Sequence, residues 1–220
     1  MNRVDYRLNA IVDGSLRDVG DLASLARIAA GNGATIIQYR DKDTSTRAMI
    51  DEARRIRAAL DGTGVPLVVN DRVDVALAAG ADGVHLGRDD MESGVARRLL
   101  GPHAIIGLTV KSAADAQAAI AAPADYACIG GVFATLSKHN PDMPVGLDGF
   151  AALRGTIAAA RPELPVGAIA GIDEGRAAAV VRAGASGVAV IAAIFRAPDI
   201  AAATRGLRRA VDAALKEKAA

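Results

Sequence analysis

The segment Ala79-Gly80-Ala81-Asp82-Gly83-Val84 is echoed further along the chain by Ala183-Gly184-Ala185-Ser186-Gly187-Val188. Each copy follows an Ala-rich stretch of helical period and leads into a short apolar run. The first glycine of each copy stands where a helix would end in a left-handed C-cap, and the apolar run is typical of a strand buried on both faces. The two copies therefore indicate a repeated helix-to-strand unit, as found in parallel sheets.

The same alternation extends over the rest of the chain. Its apolar runs are too short for helices and too uniformly apolar for half-exposed strands. We predict strands at Leu8–Val12, Thr35–Tyr39, Pro66–Val69, Gly83–Leu86, Ala104–Leu108, Tyr126–Val132, Val166–Ile169 and Gly187–Ile194. Helix candidates between them include Asp21–Ala30, Thr46–Leu60, Arg72–Ala79, Ser112–Ala121, Leu147–Ala160 and Glu174–Ala183.

Eight strands that are each followed by a helix candidate fit an α/β fold of the single (β/α)8 TIM barrel type. No Pro- or Ser-rich linker and no block of charge divides the chain, so we expect residues 1–220 to form one domain. The alternative is an open doubly wound sheet, but the first strand is not followed by the Gly-rich fingerprint of that fold.

The composition excludes several classes of protein. Lys plus Arg number 26 against 25 Asp plus Glu, which gives no basic excess for nucleic acid or a membrane surface. The single cysteine, Cys128, excludes an internal disulfide framework and a multi-Cys zinc site. Neither a signal peptide nor an apolar run of membrane-spanning length is present. We expect a soluble cytoplasmic α/β protein, and the sequence leaves homo-oligomerisation open.

In such a barrel the active site lies at the carboxyl ends of the strands. After the second predicted strand, Gln38, Arg40 and Lys42 alternate along an extended segment and so share one face. Two cations and an amide on one edge suit an anionic ligand with several oxygens. A solvated turn is the alternative interpretation of this segment.

Asp71 and Asp90 follow the third and fourth predicted strands, so barrel closure can bring them to the same side of the mouth. Two carboxylates without His or Cys partners are typical of Mg²⁺ sites that share the ion with water and substrate phosphate oxygens. Each aspartate also precedes a helix candidate, which leaves a helix N-cap as the alternative role.

Polar groups after the later strands suggest phosphate binding. Thr135-Leu136-Ser137-Lys138 supplies two hydroxyls and a cation on a loop, and the alternative is an ordinary polar loop. Gly171 and Ile191-Ala192 follow the seventh and eighth strands, where barrels commonly bind phosphate through backbone N–H groups. His85 is interpreted as a hydrogen-bonded structural residue, because no metal-ligand spacing or nucleophilic triad accompanies it.

Taken together, these segments resemble the thiamine-phosphate synthase family, also called thiamine-phosphate pyrophosphorylase, over about residues 38 to 195. The resemblance rests on four motifs in order: Gln38-Tyr39-Arg40-Asp41-Lys42, Asn70-Asp71-Arg72, Gly83-Val84-His85-Leu86-Gly87 with Asp90, and Phe133-Ala134-Thr135-Leu136-Ser137-Lys138 followed by Pro144-Val145-Gly146-Leu147.

The resemblance implies a transferase of thiamine biosynthesis. The reaction would join 4-amino-2-methyl-5-(diphosphooxymethyl)pyrimidine to a thiazole phosphate, with release of pyrophosphate. The family pattern assigns the pyrimidine diphosphate to Gln38, Tyr39, Arg40, Asp41, Lys42, Asn70, Thr109 and Lys138. It assigns Mg²⁺ to Asp71 and Asp90, and the thiazole phosphate to Thr135, Leu136, Ser137, Gly171, Ile191 and Ala192. Arg40, Lys42 and Lys138 would neutralise charge on the departing pyrophosphate, which makes them the predicted catalytic residues.

Two positions depart from the family pattern. The usual Gly-Gly pair after the seventh strand reads Ala170-Gly171, and a Ser often found after the eighth strand reads Ala192. The alternatives are a thiazole tautomerase-like paralogue and a non-catalytic phosphate-ligand sensor on the same barrel. The tautomerase uses a His shortly after the fifth strand, where this chain has Lys111.

Overall fold

The computed structural model describes residues 4–135 and 143–219. Eight parallel strands pair in sequence order and close into a barrel, with β1 hydrogen-bonded to β8. The strands are β1 Leu8–Asp13, β2 Ile36–Arg40, β3 Leu67–Asn70, β4 Gly83–Leu86, β5 Ile105–Val110, β6 Tyr126–Ile129, β7 Val166–Ile169 and β8 Gly187–Val190. The predicted (β/α)8 TIM barrel is confirmed.

Helices alternate with the strands around the outside of the barrel. They are α1 Leu22–Gly31, α2 Thr46–Ala59, α3 Val73–Ala79, α4 Ser93–Leu100, α5 Ala113–Ala121, α6 Gly146–Ala160, α7 Glu174–Arg182, α8 Ala192–Phe195 and α9 Ile200–Ala219. Gly80 ends α3 in a left-handed conformation with φ 66°, as the repeated segment predicted. Among the described residues, no helix combines the length and the apolar character that crossing a membrane requires.

Two predicted strands are too long. The apolar run Gly187–Ile194 divides into β8, which ends at Val190, and the short helix α8, so its uniform hydrophobicity concealed a change of backbone conformation. The predicted strand Tyr126–Val132 ends at Ile129, because Gly130 and Gly131 follow and Gly131 has a φ of 70°. Both corrections fall at the carboxyl ends of strands, where the chain turns towards its helix.

The barrel interior is packed by side chains rather than open. The strands are buried throughout almost their whole length, and the ring of Tyr126 crosses the interior against β5. A Cβ atom at Gly107 would lie only 2.0 Å from the ring of Tyr126, so only glycine at this position leaves room for it. This packing closes the barrel below its carboxyl-terminal mouth and leaves the mouth as the accessible end.

Candidate active site

A cavity of about 1140 Å³ opens at the carboxyl ends of the strands. Its volume slightly exceeds the usual range for pockets that hold one small molecule, about 300–1,000 Å³, which leaves room for two ligands. The predicted site residues that line it are Gln38, Arg40, Lys42, Asn70, Asp71, Asp90, Thr109, Thr135, Gly171, Ile191 and Ala192. Leu136, Ser137 and Lys138 lie outside the described residues.

Three side chains from β2 and the loop after it reach the cavity from one edge. Gln38, Arg40 and Lys42 all line it, as expected from their alternate spacing. Arg40 is held by Asp13 at the end of β1, and its Nη1 lies 2.5 Å from Oδ2 of Asp13. The edge therefore presents an amide and two cations whose positions are set by neighbouring carboxylates.

Tyr39 and Asp41, the alternate residues, do not line the cavity. The Asp41 carboxylate accepts hydrogen bonds from the Tyr39 hydroxyl at 3.2 Å, from Arg17 at 2.6 Å and from the backbone N–H of Asp43 at 3.0 Å. These contacts fix the loop between β2 and α2. The two side chains thus support the geometry around Arg40 and Lys42 and do not face the ligand space.

Asp71 and Asp90 lie close enough at the mouth to influence each other's ionisation, and the Lys42 ammonium pairs with Asp71. Burial alone would raise the pKa of Asp71, but Lys42 and the neighbouring Asp90 hold it below its ordinary value. Burial and the adjacent Asp71 carboxylate raise the pKa of Asp90. Two neighbouring carboxylates repel when both are ionised, so a cation between them would be favoured.

Neither aspartate acts as a helix N-cap. The N-cap of α3 is Arg72, and the N-cap of α4 is Glu92, whose carboxylate accepts from the N–H groups of Gly94 and Val95. Asp71 instead adopts a φ of 64°, and Asp90 accepts a 2.6 Å hydrogen bond from the N–H of Gly87. Within the described ranges, no third Asp, Glu, His or Cys completes a metal cluster, so a divalent ion here would need water and substrate oxygens.

His85 connects the barrel interior to the cavity wall. Its Nδ1 lies 3.1 Å from the hydroxyl of Tyr126, and its Nε2 lies 2.9 Å from the Oγ1 of Thr109. The imidazole also stacks on the Tyr126 ring, with centroids 5.6 Å apart. These contacts hold Thr109 at the cavity, in keeping with the interpretation of His85 as a hydrogen-bonded structural residue.

The opposite wall is formed by the ends of β6, β7 and β8. Ala170 has a φ of 91° and Gly171 a φ of 63°, so the chain turns sharply after β7. A Cβ at Gly171 would lie 2.4 Å from the carbonyl oxygen of Ala134, and glycine is therefore required for the two loops to meet. Arg176 in the first turns of α7 donates a 2.7 Å hydrogen bond to the Gly171 carbonyl.

Several charged residues of the cavity were not predicted from the sequence. Asp13 follows the rule that polar residues end the strands, and that rule could have identified it. Three others, Arg88, Asp115 and Arg176, lie in loops or in the first turns of helices. The sequence does not show which side chains in such segments point towards the mouth of the barrel. The charged lining residues outside the prediction are Arg88, Asp89, Lys111, Asp115, Asp173 and Arg176, with Asp13 immediately behind Arg40.

Comparisons with known proteins agree with one another. The family model described as thiamine monophosphate synthase matches residues 8–194. A thiamine-phosphate synthase from Agrobacterium fabrum is 66% identical over 218 residues and covers 99% of both chains. One from Chloroflexus aurantiacus is 44% identical over 208 residues, or 94% of each chain. The solved thiamine phosphate pyrophosphorylase from Pyrococcus furiosus superposes with a TM-score of 0.84 at 36% identity, over 97% of this chain and 98% of that one.

Proposed function

The chain belongs to the thiamine monophosphate synthase family of transferases, and on that premise we propose that it condenses 4-amino-2-methyl-5-(diphosphooxymethyl)pyrimidine with a thiazole phosphate. The products would be thiamine phosphate and pyrophosphate. The observation that carries the proposal is the pair of neighbouring carboxylates, Asp71 and Asp90, which line one cavity together with Lys42 and Arg40. This arrangement suits a diphosphate bound with a divalent cation.

The pyrimidine diphosphate is assigned to the edge formed by β2 to β5. Arg40 and Lys42 would bind the diphosphate oxygens, and Gln38, Asn70 and Thr109 would orient the aminopyrimidine ring. Gln38 and Asn70 are almost fully withdrawn from solvent, at 2% and 8% exposure, so a bound ligand would be their natural hydrogen-bond partner on the cavity side. Lys138, which the resemblance places with this substrate, would add a third cation.

Asp71 and Asp90 fit Mg²⁺, because the donor set is two carboxylates with no nitrogen or sulfur ligand and the remaining positions can be filled by water and diphosphate oxygens. Mg²⁺ bound there would supply charge neutralisation for the diphosphate leaving group. Lys42 already contacts Asp71 and would remain beside the same oxygens.

The chemistry we propose is dissociative. The C–O bond to the diphosphate breaks, the electron pair leaves with pyrophosphate, and the aminopyrimidine stabilises the resulting methylene cation. The thiazole nitrogen then donates its lone pair to form the new C–N bond. Arg40, Lys42 and Lys138 would stabilise the negative charge that develops on the leaving group, and the cavity walls would hold the two rings in contact. Neither step requires a protein nucleophile.

The test is product formation by the purified protein with both substrates. We expect thiamine phosphate and pyrophosphate in equal amounts with Mg²⁺, and neither with excess chelator. Asp18→Asn is a matched control variant, because Asp18 pairs with Arg196 on the exposed surface and should leave the rate unchanged. Absence of product while a thiazole phosphate still binds would instead favour the tautomerase-like or sensor alternative.

A further inference from the structure

Arg176 is a cation on the β7 side of the cavity whose surroundings differ from those of the cations on the opposite side. On the side formed by the ends of β2 to β5, three cations each pair with a carboxylate. The pairs are Arg40 with Asp13, Lys42 with Asp71, and Arg88 with Asp115. Among residues 4–135 and 143–219, by contrast, no carboxylate oxygen lies within 4.0 Å of the Arg176 guanidinium. Its positive charge therefore remains available to an anion that enters the cavity.

The Arg176 side chain is held in place without being neutralised. Its Nη1 donates a hydrogen bond to the carbonyl of Gly171 at 2.7 Å, and the guanidinium lies over the ring of Phe133, 4.9 Å from its centroid. Neither contact uses the remaining N–H donors of the guanidinium. A guanidinium fixed by stacking and one hydrogen bond loses little conformational freedom when its free edge binds a phosphate in a paired arrangement.

The backbone beside Arg176 offers further donors. In the part of the chain that the structure describes, the N–H groups of Gly171 and Ile172 have no hydrogen-bond acceptor. Both residues line the cavity with Arg176. Asp173, three residues before Arg176, is the N-cap of α7, and its Oδ1 accepts a hydrogen bond from the backbone N–H of Arg176 at 2.9 Å. The wall thus combines a cation with backbone donors at one place.

We infer that Arg176 binds the phosphate of the second substrate, the thiazole phosphate, and is a specificity-determining residue for it. The inference rests on the proposed function. It adds a side-chain charge to a subsite where position 192 offers no hydroxyl, because Ala192 stands after β8. The phosphate would accept from the free edge of the Arg176 guanidinium and from the Gly171 N–H.

The experiment is steady-state kinetics of the full chain with Mg²⁺, varying each substrate in turn. Arg176→Ala is expected to raise the KM for the thiazole phosphate about ten- to a hundredfold, the range for loss of charge-assisted hydrogen bonds. The KM for the pyrimidine diphosphate and kcat should stay within about twofold, since the contact exists in ground state and transition state alike. Arg176→Lys should give an intermediate KM, because it keeps the charge but loses the planar fork.

Arg182→Ala is the matched control on the same helix, because Arg182 pairs with Glu217 outside the cavity. An unchanged KM for the thiazole phosphate in Arg176→Ala would overturn the inference. So would a parallel rise of both KM values with a lowered Tm, which would make Arg176 a structural support of the Gly171 turn. A rise confined to the pyrimidine diphosphate would place Arg176 at the diphosphate instead. If Arg176→Ala does not fold, the KM values of Arg176→Lys decide between these outcomes.

Failure of the proposed function would be recognised separately, as absence of thiamine phosphate from the unsubstituted protein. Calorimetric titration with the thiazole phosphate alone would then still test Arg176. About tenfold weaker binding to Arg176→Ala than to Arg182→Ala supports the inference, and equal affinity overturns it.

Discussion

The guanidinium of Arg40 and the carboxylate of Asp13 meet across two neighbouring strands, with Nη1 of Arg40 2.5 Å from Oδ2 of Asp13. Both side chains are largely withdrawn from solvent, at 19% and 10% exposure. Asp13 also accepts from the backbone N–H of Ser15 at 3.0 Å, so the carboxylate is itself fixed. Asp13 is therefore the residue that positions the Arg40 cation at the cavity wall.

Removing this counter-ion should impair the reaction without touching the substrate directly. We expect Asp13→Asn to lower kcat/KM for the pyrimidine diphosphate about tenfold, because a small displacement of a positioned charge weakens its contact with the leaving group. The KM for the thiazole phosphate should not change. Steady-state kinetics measures both, and equal kinetics of Asp13→Asn and the unsubstituted protein would show that Arg40 keeps its place unaided.

Asp41 should make the fold sensitive to acid. Burial would raise the pKa of this carboxyl, but hydrogen bonds from the Asp43 N–H and from Arg17 hold it below its ordinary value of 3.8. A carboxyl whose pKa is lower in the folded state stabilises the fold above about pH 4, and this contribution disappears as the pH falls through the folded-state pKa.

Urea unfolding checks this prediction with Asp41→Asn. The substitution should lower the free energy of unfolding by about 1–2 kcal/mol near pH 7, since it weakens a buried charge-assisted network. The difference between the two proteins should shrink towards pH 3. A difference that stays constant between pH 7 and pH 3 would mean that ionisation of Asp41 contributes nothing.

The sequence predicted the barrel and much of its mouth for physical reasons that the structure makes plain. Strands buried on both faces produce uniform apolar runs, and the alternation of Gln38, Arg40 and Lys42 follows from the two-residue period of a strand. The family was also predicted, because its motifs are contiguous segments at strand ends. The order of the strands predicted that Asp71 and Asp90 lie near each other, and the structure decides against their alternative role as helix caps.

Other features depend on backbone angles and on contacts between distant segments. Hydrophobicity alone could not show that the run after Gly187 changes from strand to helix at Ile191. Tyr39 and Asp41 belong to the same motif as Arg40, yet they face away from the cavity. Arg176 reaches the cavity only because α7 starts beside the Gly171 turn, and no motif in the chain encodes that approach.

Ala170 should be a strained position. Its φ of 91° is a conformation that glycine adopts without cost and other residues rarely adopt. Ala170→Gly is therefore expected to raise the free energy of unfolding by about 1 kcal/mol. This value is the strain relieved in the folded state minus the cost of the greater conformational entropy that glycine gives the unfolded chain. Ala168 is buried in β7, two residues before Ala170, and has no positive φ, so Ala168→Gly should destabilise the fold. Thermal unfolding measures both, and destabilisation by Ala170→Gly would contradict the assignment of strain.

Lys138 is predicted to act on the transition state. This residue lies outside the described part of the chain, and its role is inferred from the family resemblance. If its charge meets the departing pyrophosphate, Lys138→Ala should lower kcat about a hundredfold and leave the KM for the pyrimidine diphosphate nearly normal. Lys216→Ala in α9 provides the control. A raised KM with normal kcat would make Lys138 a contact of the bound substrate only.

Asp71 and Asp90 together are proposed to hold the ion on which the reaction depends. The most direct measurement is the rate of thiamine phosphate formation against Mg²⁺ concentration for the unsubstituted protein, Asp71→Asn and Asp90→Asn. Asparagine suits position 71 because it tolerates the φ of 64° found there. We predict saturation by Mg²⁺ in the unsubstituted protein, and in both variants at least about a hundredfold lower rates with saturation shifted to higher Mg²⁺. A rate that persists in excess chelator, or variants with the unsubstituted protein's Mg²⁺ dependence, would contradict it.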